Sequence, residues 1–150
     1  MSFIQDFVKW CMLEEGFNLP HKAAWNNNNP LNLNSGPRCK GRDANGHGIY
    51  ASIADGFADA EELVEEIIRK HPEITLSTFF AGERDPATGA VIAGGYSGFA
   101  PAADPRGANA PLAYAEFVGK GLGIGIAEAL LPKLPLPSVI PSLAGPSAVK

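Results

Sequence analysis

Apolar residues at the start of the chain recur at the spacing of an α-helix. In residues 3–15 the Phe, Ile, Val, Trp and Cys side chains cluster on one side, and polar side chains fall on the other. Ser2 is the expected N-cap of this helix and Gly16 the expected stop. Cys11 lies on the apolar side, so we expect it to pack in the core.

Further elements follow from the same patterns. Three more segments have helical apolar spacing: residues 55–71, residues 75–82, and a segment that opens at Asn109 or Pro111. Thr75 is the expected cap of the third helix, either Ser52 or Asp55 caps the second, and Leu112 is expected on the inward side of the last. The turn-like sequence at 45–53 predicts a short strand in a small hairpin.

Two segments lack helical periodicity. Residues 17–48 are polar and rich in Asn, Gly and Pro, and a loop of this length in a compact domain is usually functional or disordered. The C-terminal sequence repeats proline too often for a helix and predicts an extended arm. We therefore expect a mostly helical α+β domain over residues 1–126, followed by a Pro-rich tail over 127–150.

Composition and charge narrow the possible functions. The chain has 150 residues, of which 45% are hydrophobic, so one ordinary domain with a real core is expected. Its net charge of −4 argues against a general nucleic-acid binder. Acids concentrate in residues 55–66, which we interpret as a solvated helix face, and bases concentrate in residues 16–42.

Several kinds of site and location are disfavoured. Two cysteines are too few for a disulfide scaffold, although a Cys11–Cys39 bond stays open, and the three histidines lack ligand spacing. We therefore expect neither a metal nor another cofactor. No apolar run reaches the length of a membrane span, and the N-terminus lacks a signal-peptide pattern, which predicts synthesis in the cytoplasm.

Two glutamates, Glu14 and Glu15, close the apolar stripe of the first helix. Burial and the negative end of the helix dipole both disfavour a carboxylate at such a position. A carboxylic acid that keeps its proton can donate it to a leaving oxygen, as glycosidic cleavage requires. The alternative is a solvated terminal glutamate, or one paired with Lys22, and position alone does not separate Glu14 from Glu15.

The asparagine run that follows, Asn26–Asn29 before Pro30, predicts a tight turn that bonds to itself. Side-chain amides also match sugar hydroxyls and acetamido groups as donors and acceptors. Trp25 beside the run offers an aromatic face for a sugar ring. By composition alone, a plain surface loop with Trp25 in the core is the simpler interpretation.

The order of short motifs along the chain adds to this pattern. The motifs are Glu15-Gly16-Phe17, Asn28-Asn29-Pro30-Leu31-Asn32-Leu33, residues 49–60, Thr75-Leu76 and residues 109–124. In this order the chain, over roughly residues 4–126, resembles the lysozyme-like peptidoglycan-cleaving proteins of phages and prophages, of the lytic transglycosylase or muramidase type.

The resemblance implies a lysozyme-like fold in which a small β-hairpin stands beside a glycan cleft between helical lobes. Glu15 would be the catalytic acid, matched by its Glu-Gly position. Asn29 and Asn32 would shape the cleft loop and bind substrate, and Tyr50 and Tyr114 would face the substrate or brace the acid. Together with Trp25, these residues form the expected peptidoglycan-binding set.

This sequence departs from the family pattern at three places. Leu31 stands where the family has glycine, so either the loop backbone differs or the side chain finds a pocket. Residues 83–98 look like an insertion, either a flap over the cleft or an interaction loop. The Pro-rich tail has no counterpart, and it is a candidate arm for docking into a larger assembly.

The choice between hydrolase and transglycosylase depends on a second carboxylate. A muramidase uses two carboxylates, whereas a lytic transglycosylase resembles it but works with one acid/base and leaves an anhydro sugar. The loop after Glu15 has no acid before Asp43, and Asp55 and Asp59 are explained as helix-start residues. One carboxylate favours the transglycosylase route.

A second function class remains open on sequence alone. The protein could keep the lysozyme-like fold without turnover, as a structural or cargo protein of a phage or injection-type assembly. On the enzymatic interpretation, it would act at the cell wall during phage entry or host lysis, or be carried there in a virion or injection apparatus.

Overall fold

Helices dominate the described part of the chain, which comprises residues 1–104, 109–136 and 148–149 of the computed structural model. The helices are α1 (Phe3–Glu14), α2 (Ala23–Asn26), α3 (Ile53–Lys70), α4 (Leu76–Ala81) and α5 (Pro111–Leu122). The strands are β1 (Cys39–Arg42) and β2 (Gly48–Tyr50), and a 3-10 turn spans Leu131–Lys133. The described residues thus form a small α+β protein with five α-helices and one antiparallel hairpin, which is compatible with the expected mostly helical class.

The expected caps of α1 and α4 are present. The Ser2 hydroxyl accepts from the amide of Gln5 (3.2 Å), and the Gln5 side chain accepts from the Ser2 amide (2.9 Å). Thr75 and Thr78 form the same reciprocal pair at the start of α4. Each pair satisfies amide groups that the first helical turn leaves without partners, so sequence alone locates these two ends.

The first residues of α3 and α5 show which cap α3 uses and where α5 begins. The hydroxyl of Ser52 accepts from the Asp55 amide (3.1 Å), so Ser52 caps α3. Helix α5 begins at Pro111, and its residue Leu112 is 55% exposed rather than inward-facing. That expectation was wrong because the buried face of α5 centres on Tyr114, Ala115 and Val118.

The chain divides into two compact units, which are described separately. The first contains Met1–Glu66 together with the described residues from Leu134 onward, and the second contains Ile67–Lys133. The boundary therefore falls within α3. The expected division into a domain over 1–126 and a tail over 127–150 stays a prediction, and half of that tail lies outside the described residues.

In the first unit, the long polar segment is more ordered than its sequence suggests. It contains α2 and β1, each of four residues, and β1 pairs with β2 across a bulge between Cys39 and Gly41. Three of the four β1 residues are exposed, so the strand lacks the apolar alternation that would reveal it. At the far end of the chain, Val149 forms an isolated antiparallel bridge with Ser35.

In the second unit, aromatic rings join α4 to α5. Phe80 stacks on Tyr114 with ring centroids 4.1 Å apart and planes at 20°. Phe79 stacks on Phe99 at 5.4 Å, and the Phe99 amide donates to the Phe79 carbonyl oxygen. Such pairs contribute beyond the area that they bury, so these rings define the core of the unit.

The two cysteines form no disulfide. Cys11 is fully buried in α1, as its place on the apolar stripe predicts, and Cys39 is a free thiol at the start of β1. Among the residues that the structure describes, no helix combines the length and the apolar character needed to cross a membrane.

Gly56, in the first turns of α3, approaches the asparagine segment so closely that alanine should not fit. A Cβ there would lie 1.9 Å from the carbonyl oxygen of Asn28. Alanine normally favours a helix over glycine by about 1 kcal/mol. We expect Gly56→Ala instead to lower the free energy of unfolding by about 2 kcal/mol, because overpacking dominates. Urea denaturation measures the difference.

The matched control is Gly41→Ala, since a Cβ at Gly41 meets no atom within 4 Å. Its unfolding free energy should stay within about 0.5 kcal/mol of the parent protein. Equal stability of the two variants would contradict the close approach of α3 to Asn28.

Candidate active site

Helix α1 ends in a cap that fixes the backbone of Glu15. Glu15 is the C-cap residue, and Gly16 beyond it has φ +78°, a left-handed conformation that glycine adopts without strain. The Gly16 amide donates to the Leu13 carbonyl oxygen (3.2 Å). The Phe17 amide donates to that of Met12 (3.0 Å), which completes a Schellman motif. The Glu15-Gly16 pair thus ends α1 and fixes the backbone position from which the Glu15 side chain extends.

The side chain of Glu15 meets the asparagine segment. Asn32 Nδ2 donates to Glu15 Oε2 at 3.0 Å, and Glu15 is half-buried, whereas Glu14 is exposed. The backbone of Asn32 is left-handed, with φ +52°. Its amide oxygen is buried and has no hydrogen-bond partner among the described residues. The structure therefore brings together two residues that the sequence proposed for the site.

Asn29 holds the loop that carries Asn32. Its side chain is 0% exposed, and Nδ2 donates to the carbonyl oxygens of Leu33 (2.8 Å) and Gly48 (2.9 Å). Its Oδ1 accepts from the Leu33 amide at 2.9 Å. One buried amide thus satisfies three backbone groups and ties the loop to β2. Asn29 therefore shapes the loop from its buried side. A direct contact between Asn29 and a glycan stays a prediction.

The neighbouring asparagines attach the same loop to the end of β2. Asn28 Nδ2 donates to the Tyr50 carbonyl oxygen (3.1 Å), and the Tyr50 amide donates to the Asn27 carbonyl oxygen (2.9 Å). Leu31 is 0% exposed, so its side chain occupies a buried pocket, one of the two outcomes that the sequence left open. The run is therefore an internally bonded turn, as its composition predicts.

Trp25 presents an aromatic surface in this unit. It is 46% exposed, which excludes the simpler interpretation of a core tryptophan. Its ring centroid lies 6.0 Å from that of Phe17, which in turn lies 5.8 Å from that of Phe57. The inner side of the indole is thus supported, while the outer side faces solvent.

The two tyrosines of the expected site are both buried. Tyr50 is 2% exposed; burial raises the pKa of its hydroxyl, and the neighbouring Asp59 carboxylate raises that pKa further. Tyr114 is 7% exposed and lies in the second unit, stacked on Phe80. Both side chains serve as packing elements here, and a role in substrate binding stays a prediction.

A network of charges joins the basic loop to the acidic helix. Arg38 Nη1 lies 2.7 Å from Asp59 Oδ1, and Arg38 Nη2 lies 2.9 Å from Glu62 Oε1. The hydrogen bonds that the guanidinium donates, to Glu62 first and then to Asp59, raise the pKa of Arg38. The solvated helix face expected at 55–66 is thus wrong for Asp59, whose side chain is 0% exposed. The sequence feature that could have indicated this pairing is the charge separation: residues 16–42 contain bases and no acid, and residues 55–66 contain acids and no base.

Asp43, the candidate second carboxylate, is engaged in the hairpin turn. Its Oδ1 accepts from the amides of Asn45 (2.8 Å) and His47 (3.0 Å), and its Oδ2 accepts from Asn27 Nδ2 (2.8 Å). Burial alone would raise the pKa of Asp43, but the hydrogen bonds from these three partners lower it below its ordinary value of 3.8. Asp43 is therefore held as a turn-stabilising anion.

Comparison of the chain with protein-family models, curated proteins and solved structures found no match. Within the described ranges, the His, Cys, Asp and Glu side chains form no group of three or more that could hold a metal ion. The geometry around Glu15 is therefore the feature of the molecule that bears on function.

Truncating Asn29 tests whether its amide organises the loop. We expect Asn29→Ala to lower the free energy of unfolding by about 3 kcal/mol, because three buried backbone groups each lose a partner. Guanidinium denaturation gives the value. Asn26→Ala is the control, since Asn26 is exposed in the same run and should change stability by less than about 0.5 kcal/mol. Similar losses in both variants would argue against the organising role.

Proposed function

We propose that this protein cleaves the β-1,4 glycan strand of bacterial peptidoglycan, with Glu15 as its general acid/base and a lysozyme-like fold. The hydrogen bond from Asn32 to Glu15 is the observation that carries the proposal. A general acid must be held in one orientation while its substrate binds, and a half-buried carboxyl held by a side-chain amide meets that requirement.

Asn32 supports the proposal in a second way. Its buried amide oxygen is an acceptor without a donor among the described residues. Leaving such a group unmatched costs about 1–3 kcal/mol, so a donor from a bound ligand would relieve that cost. The N–H of a glycan acetamido group, or a sugar hydroxyl, has the required chemistry. Asn32 would then contact both the acid and the substrate.

Trp25 supplies the surface that a glycan needs. Sugar rings present C–H faces that pack on aromatic rings, and the half-exposed indole of Trp25 is supported on its inner side by Phe17. Trp25 lies in the same unit as Glu15 and Asn32. We assign it to substrate binding.

The surroundings of the other carboxylates favour the single-acid route. Asp43 is engaged by three donors in the hairpin turn, and Asp59 is paired with Arg38. Asp55 lies in the first turn of α3, where a negative charge suits the helix dipole. A lytic transglycosylase needs only one acid/base, so we propose this chemistry rather than two-carboxylate hydrolysis.

In this reaction Glu15 would first give its proton to the glycosidic oxygen as the bond from that oxygen to the anomeric carbon breaks. The resulting Glu15 carboxylate would then take the proton of the C6 hydroxyl of the same sugar while that oxygen attacks the anomeric carbon. The product is a 1,6-anhydro sugar, and Glu15 recovers its proton. No water is consumed.

The proposed partner is thus the glycan strand of the cell wall, reached during phage entry or lysis or through an injection apparatus. A non-catalytic structural or cargo role is the alternative that the following experiment separates. Purified peptidoglycan is incubated with the protein, and soluble products are analysed by mass spectrometry. Anhydro products, lighter than hydrolytic ones by one water, support the proposal.

The central prediction concerns Glu15→Gln. Glutamine retains the shape of glutamate and can still accept from Asn32, but it cannot donate a proton to the glycosidic oxygen. We expect muropeptide release to fall by about 100-fold or more, with an unchanged thermal unfolding temperature. Glu14→Gln, one residue away and exposed, should keep full activity.

Two results would contradict the assignment of Glu15. If the Glu15→Gln variant kept its activity, or if Glu14→Gln lost it, another group would be the acid. If the parent protein itself released no muropeptides, the non-catalytic role would replace the enzymatic one.

The single-acid route makes a separate prediction for Asp43. We expect Asp43→Asn to keep muropeptide release within about threefold of the parent, because Asp43 serves the turn rather than the chemistry. The parent should gain stability from the Asp43 anion at neutral pH. That gain should disappear as the pH falls below 3.8 and through the lowered pKa of the folded protein, so the two unfolding curves converge in acid. Complete loss of activity in a folded variant would favour the two-carboxylate route.

A further inference from the structure

A short segment near the end of the sequence lies against the loop that carries Asn32. The Val149 amide donates to the Ser35 carbonyl oxygen (2.8 Å), and the Val149 carbonyl oxygen accepts from the amides of Asn34 (2.7 Å) and Ser35 (3.2 Å). Ala148, the preceding residue, is only 6% exposed. We call Ala148 and Val149 the strap. The strap and the loop belong to the same unit.

The strap bonds the loop between two other points of attachment. On one side, the Asn29 side chain donates to the carbonyl oxygen of Leu33 and accepts from its amide. On the other side, Arg38 bonds a buried carboxylate of α3 through both its amide and its guanidinium. Residues 34 and 35, which the strap contacts, lie between these points. The strap therefore supports the stretch of loop that follows Asn32.

The backbone of Asn32 makes this support relevant to Glu15. Asn32 has φ +52°, and from this conformation its Nδ2 donates to Glu15 Oε2 at 3.0 Å. A left-handed backbone is strained for a residue with a side chain, and it persists only where the surrounding structure fixes it. A loop that is free to relax would turn the Asn32 side chain away from the carboxyl group. The order of the residues after Asn32 therefore bears on the contact with Glu15.

We propose that the strap holds the Asn32 loop in the conformation that orients Glu15, and that Val149 is a positioning residue for this acid. Val149 acts through the backbone of residues 34 and 35 rather than on the substrate. Its side chain is 51% exposed, so the contact depends on its backbone groups more than on the valine side chain. The catalytic consequence rests on the proposed function, whereas the ordering of the Glu15–Asn32 contact does not.

Variants of the full chain separate the backbone contact from the side chain. Val149→Pro removes the amide hydrogen that bonds Ser35, and Ala148→Asp places a charge at a buried position. Val149→Ala is the matched conservative variant, because it keeps every backbone group and changes a half-exposed side chain. Thermal unfolding establishes that each variant is folded at the temperature of the measurements.

The first measurement is ¹⁵N NMR, which does not depend on glycan cleavage. Val149→Pro and Ala148→Asp should each speed the hydrogen exchange of the Asn34 and Ser35 amides by about tenfold or more, whereas the amides of α4 in the other unit keep their rates. Both variants should also shift the side-chain amide signals of Asn32, and Val149→Ala should leave them in place. Unchanged Asn32 signals in the folded Val149→Pro and Ala148→Asp variants would overturn the proposal.

The second measurement is the rate of muropeptide release, at a protein concentration that keeps the slowest variant measurable. Val149→Pro should lower kcat by about tenfold, because a small misplacement of a catalytic group is costly, and Val149→Ala should retain the parent rate. In an Asn32→Ala background, Val149→Pro should cause no further loss, since the strap acts through Asn32.

Equal losses from Val149→Pro in the parent and in the Asn32→Ala background would overturn the positioning role, because the two residues would then act independently. A loss in Val149→Ala as large as that in Val149→Pro would also overturn it. If the parent protein releases no muropeptides, the proposed function fails, and the NMR result alone decides whether the strap orders the Glu15–Asn32 contact.

Discussion

The unit that carries Glu15 depends on how a loop without regular structure satisfies its buried backbone. Each buried amide or carbonyl group there needs a partner, and β2 supplies only some of them, through the amides of Gly48 and Tyr50. The side chain of Asn29 does so for three backbone groups at once, from a position with no exposed surface. With that contact in place, Leu31 can fill its pocket and Asn32 can hold a left-handed backbone. The position of Asn32, the partner of Glu15, therefore depends on the buried contacts of Asn29, three residues earlier.

Contacts of the same loop also position it against β2 and α3. Asn28 bonds the backbone of Tyr50 at the end of β2, and its carbonyl oxygen lies where a side chain on Gly56 would be. Arg38 joins the continuing loop to α3 through Asp59 and Glu62, so helix and loop are connected by charge as well as by close contact. Removing Arg38 would leave the fully buried Asp59 carboxylate without its ion partner, which would be costly. The loop that carries Asn32 is consequently attached to β2 through Asn28 and Asn29, and to α3 through Arg38.

Sequence patterns located the features that depend on local chemistry. Reciprocal caps at Ser2 and Thr75 and the glycine stop at Gly16 are set by neighbours within a few residues, so the helix ends could be predicted. Features that depend on residues far apart in the sequence could not be predicted in this way. Strand β1 is visible only through its pairing with β2, and the buried Asp59 is paired with Arg38, which lies 21 residues away in the sequence. The Glu15–Asn32 contact lies between these cases, since the motif order named both residues and only folding joined them.

The environments of the carboxylates in the first unit differ in a way that bears on catalysis. Asp59 forms an ion pair with the Arg38 guanidinium, whereas hydrogen bonds from two backbone amides and a side-chain amide lower the pKa of Asp43. A general acid/base must instead pass between its two protonation states during each turnover. A neutral amide suits that cycle, because the Asn32 N–H can donate to a carboxylate and to the carbonyl oxygen of a carboxylic acid alike. An ion pair in the same place would stabilise one state at the expense of the other. For that reason the hydrogen bond from Asn32 supports the proposal that Glu15 is the general acid/base.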